Sequence, residues 1–145
     1  MILMVDDELE RISEYARQAR LSGWDVGVTD RIEVAWSHIA CLLAYPEKLQ
    51  QERPNVLVLD MMWPASTLAA LDLTTRYVDE GVRLLILVKQ EATRLVAEGL
   101  LTIVILSNYV REIDKRLKDA EVRDLVAGIW YKGSVTAAGF ATALA

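Results

Sequence analysis

The sequence predicts a doubly wound α/β domain: one five-stranded parallel sheet with helices on both faces. Four apolar runs, 2–5, 55–59, 101–106 and 128–131, are short, mostly aliphatic or β-branched, and free of charge, as strands buried on both faces of a parallel sheet are. A fifth and weaker run lies at 24–29, and segments with apolar residues at helical spacing separate the runs. At 145 residues the chain suffices for one well-filled core and is too short for two ordinary domains, so 1–145 is expected to be a single domain.

Each element has its own local reason. Strand one, Ile2 to Val5, runs into Asp6, Asp7 and Glu8 with no basic leader, so it reads as a strand and not as a signal peptide. Residues 8–21 place Leu9, Ile12, Tyr15, Ala16 and Ala19 on one helical face, and Ser22-Gly23 stops them. Strand two is interrupted by Asp25 and Gly27, and Asp30 is placed to cap the helix that carries Ile32, Ala35, Trp36, Ile39 and Leu43 as far as Pro46. The charged stretch 47–53 precedes Pro54, which resets the chain for strand three. Residues 64–79 show no clean period and are expected to be a long loop with one helical turn near 68–73. A helix is expected over 80–97, ended by Gly99, then strand four. Another amphipathic helix over 110–125, with Ile113, Leu117, Val122 and Leu125 inward, leads to strand five. The tail 134–145 has helical composition, includes Gly139 and carries no charge, so it is composed for burial, against a second copy as in a homodimer or against a further segment.

Composition excludes several classes. With 53% hydrophobic and 26% charged residues the chain is that of a soluble globular protein, and a net charge of −5 leaves no basic block for nucleic acid. No run reaches membrane-spanning length. The one cysteine, Cys41, has no partner for a disulfide, which fits a reducing, cytoplasmic compartment. His38, the one histidine, lacks a second soft ligand for zinc.

Polar residues that could do chemistry stand at the ends of the apolar runs: Asp6 and Asp7 after the first, Asp60 after the third, Ser107 after the fourth and Lys132 after the fifth. Ligand sites of open α/β sheets form at the carboxyl ends of their strands, so these groups are expected to converge. Taken singly, an acid or a serine at a strand end is more often a helix cap, and a lysine is usually solvated. Taken together, three acids carry −3, which Lys132 reduces to −2, leaving room for one divalent cation. Oxygen ligands without histidine or cysteine favour a hard ion, and a shell completed by water suits Mg²⁺. Such a site can hold a phosphoryl group, with Lys132 pairing one oxygen, Ser107 donating a hydrogen bond and Asp60 as the nucleophile that becomes an aspartyl phosphate.

In these residues the chain resembles the receiver domain of two-component response regulators over essentially its full length. The matching stretches are Met4-Val5-Asp6-Asp7-Glu8, Val56-Leu57-Val58-Leu59-Asp60-Met61-Met62-Trp63-Pro64, Ile103-Val104-Ile105-Leu106-Ser107 and Trp130-Tyr131-Lys132. The resemblance implies a flavodoxin-like sheet of order 2-1-3-4-5 and phosphoryl transfer to Asp60 from a histidine kinase or a phosphotransfer protein. It implies that Asp7, Asp60 and the backbone carbonyl of Met62 bind Mg²⁺ directly, with Asp6 acting partly through water. Ser107 would move toward the phosphoryl group and Lys132 would hold it. Catalysis would be at most self-phosphorylation and self-dephosphorylation. A free-standing phosphohydrolase would carry an acid two residues after Asp60, where Met62 stands.

The chain also departs from the family. Gly133 follows Lys132 where proline is usual, Ile129 stands where receivers commonly carry a swinging tyrosine or phenylalanine, and Asn108 is bulkier than the usual alanine or glycine. These departures favour the alternative, a receiver-like interaction module that no longer uses phosphate; the complete polar set favours a working receiver.

Overall fold

The computed structural model describes residues 1–6, 9–45, 55–61, 73–133 and 135–144. Strands β1 (Ile2–Val5), β2 (Val26–Thr29), β3 (Asn55–Asp60), β4 (Leu101–Ser107) and β5 (Gly128–Tyr131) form one parallel sheet in the order β2-β1-β3-β4-β5. Helices α1 (Leu9–Leu21), α2 (Ile32–Ala44), α3 (Leu73–Glu91), α4 (Thr93–Ala97), α5 (Val110–Asp119) and α6 (Ala137–Leu144) surround it, with a 3₁₀ turn at Arg123–Leu125.

Alternation along the strands divides the interior into two cores. Leu3, Val5, Leu57, Leu59, Ile103 and Ile105 pack with α2, α3, α4 and α5, whereas Ile2, Met4, Val56, Val58 and Leu106 pack with α1 and α6. In-register pairs such as Leu3–Leu57 and Leu57–Ile103 keep each set on its own side. The three central strands are therefore apolar at nearly every position, which is why they read as continuous runs in the sequence.

Four expectations change. Residues 73–79, expected in a loop, already belong to α3, while residues 62–72 lie outside the described part of the chain. The helix expected over 80–97 is two helices, broken at Ala92 (φ −136°, ψ 18°). Leu85, Val88, Ala92 and Leu95 are all buried, so the apolar spacing passes through the break without a mark. The helix expected over 110–125 ends at Asp119. Glu121 takes a left-handed conformation (φ 60°), and Val122 N–H donates to Leu117 O (2.9 Å) in a Schellman closure. Val122 and Leu125 are buried by the turn that follows, and Val122, five residues past Leu117, is out of step with the face that Ile113 and Leu117 share. At α2 the expected cap by Asp30 does not form: the helix starts after Arg31 without a side-chain cap, and the Arg31 N–H donates to Thr29 Oγ1 (3.1 Å).

Candidate functional site

Parallel pairing brings the carboxyl ends of four strands level: Val5 faces Leu59, Asp60 faces Leu106 and Ser107 faces Tyr131. Asp6 and Asp60 thus follow paired residues on neighbouring strands, about 4.8 Å apart across the ladder. The residue order of the sheet places β3 between β1 and β4, so Asp60 is the central member.

Asp60 ends β3 with its side chain only 1% exposed. Its Oδ2 pairs with Lys132 Nζ, while Oδ1 is buried and accepts no hydrogen bond. Buried polar atoms are nearly always satisfied, so an orphaned carboxylate oxygen marks a place for a cation or a donor. Lys132 lies just past β5 and must reach over the end of β4 to meet Asp60. Its backbone N–H donates to Ser107 O (3.1 Å), which continues the ladder one step beyond the strand and fixes where the lysine stem begins. With 17% of its side chain exposed, it is a mostly covered cation.

Asp6 is buried at the end of β1, and its N–H donates to Thr29 O (3.1 Å) on β2. Ser107 is buried as well, with Oγ accepting the N–H of Tyr109 (3.0 Å), the residue before α5. The serine thus closes a turn ahead of α5 and does not cap the helix, which starts after Tyr109 without a side-chain cap, and its hydroxyl hydrogen remains available to a second acceptor. Asp7 and Met62 lie outside the described residues. Among the described residues no three acidic, histidine or cysteine side chains cluster as a metal site. Asp6 and Asp60 nevertheless offer hard oxygen donors on adjacent strand ends, and the orphaned Asp60 Oδ1 is what a Mg²⁺ ion would satisfy, so these residues fit that ion.

A Cβ on Gly133 would lie 2.6 to 2.7 Å from Cζ, Cε1 and Oη of Tyr131, so a larger residue there requires the half-exposed tyrosine ring to turn away. Ile129 packs toward the α2–α5 side, and Trp130 toward α1 and α6. Sequence reasoning passed over a further set beneath Lys132. Phe140 of α6 is buried edge-on to both Tyr15 (5.4 Å, 87°) and Trp130 (5.5 Å, 78°), and Tyr15 Oη donates to Val135 O (3.0 Å). Tyr15 was visible only as an apolar position on α1, and no local pattern announces a partner 120 residues away.

The chain has the fold of a signal receiver domain. It is similar to the crystal structure of the signal receiver domain assigned to a LuxO repressor protein of Vibrio parahaemolyticus, with a TM-score of 0.55 and 12% identity, over 99% of this chain and 85% of that one. No protein-family model and no curated protein matches the sequence. No helix among the described residues is long and apolar enough to cross a membrane.

Proposed function

We propose that this chain is a phosphorylatable signalling receiver of a two-component system, working in the cytoplasm with a histidine kinase or a phosphotransfer protein as its donor. The observation that carries the reading is the Asp60 carboxylate: enclosed, paired on one oxygen with Lys132 and unpartnered on the other. In the transfer, a carboxylate oxygen of Asp60 attacks phosphorus, the P–N bond to the donor histidine breaks, and the imidazole nitrogen retains the bonding pair. Lys132 then has a phosphoryl oxygen to pair with as the Asp60 charge is esterified, and the Ser107 hydroxyl donates to another. Asp6, Asp7, Asp60 and the Met62 carbonyl would hold Mg²⁺, which when bound neutralises charge on the transferring group.

Beryllofluoride with Mg²⁺ tests this, followed through tryptophan emission. Saturable binding by the wild type that is lost in Asp60→Asn supports the reading; no binding, or equal binding by both, overturns it. The second reading, an interaction module that does not use phosphate, is favoured by the same Lys132–Asp60 pair taken as a closed structural ion pair. It predicts no Mg²⁺ binding at millimolar concentration.

A further inference from the structure

We propose that Tyr15 is a positioning residue for Lys132, acting through its hydroxyl on the loop that carries the lysine; the inference rests on the receiver reading of Asp60. Lys132, Gly133, Val135 and Thr136 lie between β5 and α6. At the start of the loop the Lys132 N–H is held by Ser107 O, and its ammonium by Asp60. Three residues on, the Val135 carbonyl accepts the Tyr15 hydroxyl at 3.0 Å. The end of the loop is closed by Phe140 N–H to Thr136 O (2.8 Å) and Gly139 N–H to Thr136 Oγ1 (3.0 Å). Between Lys132 and Thr136, the Tyr15 bond ties the loop to another element of the fold.

The tyrosine is itself held. Its ring stands edge-on to Phe140, whose other edge contact is Trp130, two residues before Lys132 on the same side of the sheet. Tyr15, Phe140, Trp130 and the loop thus form a closed circuit around the base of the lysine. Helix α1 begins at Leu9, shortly after the acidic pair, and reaches Tyr15 in its second turn. The helix that follows β1 in the chain therefore also carries the hydroxyl that holds the loop. A ring without the hydroxyl would fill the same space but leave Val135 O untethered, and the lysine would be placed less often for a phosphoryl oxygen.

Tyr15→Phe isolates the hydroxyl. Two quantities are measured, Mg²⁺ affinity alone and beryllofluoride affinity at saturating Mg²⁺, each in the wild-type and in a Lys132→Ala background. The expected result is Mg²⁺ affinity unchanged within about twofold and beryllofluoride affinity lowered about three- to tenfold, the range of one lost hydrogen bond. That loss should vanish when Lys132 is already absent, as a double-mutant cycle requires for a residue that works through the lysine. A general structural role would weaken both ligands, or weaken beryllofluoride equally in both backgrounds, and either result overturns the inference. So does an unchanged beryllofluoride affinity in Tyr15→Phe when the wild type binds it. A wild type that does not bind beryllofluoride at all overturns the receiver reading, and this inference with it.

Discussion

Lys132 crosses the end of β4 to pair with Asp60, two strands away, and the pair leaves Asp60 Oδ1 without a partner. The arrangement has opposite consequences for its two members. Lys132→Ala would leave a carboxylate buried and uncompensated, a loss of about 3 kcal/mol, at the lower end for broken buried pairs because the lysine is partly exposed. Asp60→Asn should cost less, since the lysine can turn to solvent. Urea unfolding at neutral pH measures both, and equal losses would show that the acid is compensated elsewhere.

Mg²⁺ should raise stability through the native state alone. At tenfold over its dissociation constant the gain is about 1.4 kcal/mol. Asp6→Asn and Asp60→Asn should each abolish the gain, and a Mg²⁺-dependent midpoint that survives both would place the ion elsewhere.

The short last helix depends on one side chain. Phe140 is fully buried and is the chain's one phenylalanine, flanked in α6 by small residues. Phe140→Ala should cost about 3–5 kcal/mol and Phe140→Leu clearly less, with α6 losing amide protection first in hydrogen exchange.

Two surface carboxylates give stability a pH dependence. Hydrogen bonds from Arg17, with help from Gln18, hold Glu14 down at about 2 against an ordinary 4.5, and hydrogen bonds from Lys118 and then Arg123 hold Asp114 below its ordinary 3.8. A carboxyl with a lowered native pKa takes up its proton more readily when unfolded. Its contribution is therefore complete above the ordinary value and lost as pH falls through the native one. The stability difference between wild type and Asp114→Asn should be flat above about pH 5 and shrink below about pH 4, and added salt should reduce it throughout.

Glu121 is the described non-glycine residue held at positive φ, where a side chain is strained. Lys89 Nζ bonds its backbone carbonyl (2.7 Å), which a substitution keeps. Glu121→Gly should therefore stabilise the fold by about 0.5–1 kcal/mol with an unchanged urea slope; a loss would mean that the carboxylate makes a contact worth more than the strain.

The strands were legible because burial on both faces demands uninterrupted apolar residues, so Ile2–Val5, Asn55–Asp60 and Leu101–Ser107 appear where the runs stand. The candidate residues Asp6, Asp60, Ser107 and Lys132 were legible for a related reason: a polar residue that ends a buried strand has only the sheet edge to occupy. Helix ends were less legible. Ala92 is buried at the break at the spacing a continuing helix would use, and Val122 is buried by a turn that closes through the backbone; periodicity records burial, not hydrogen-bond closure.

By itself, then, the sequence determined the alternation of strands and helices, the two-sided core and the polar groups at the strand ends, all of which follow from local hydrophobic pattern. Tertiary structure alone decided that Lys132 closes on Asp60, that Tyr131 fills the space over Gly133, and that Tyr15 holds the carbonyl of Val135. These are contacts between side chains and backbone brought together by strand order and helix packing, and no local period encodes the distance between residues that are remote in the chain.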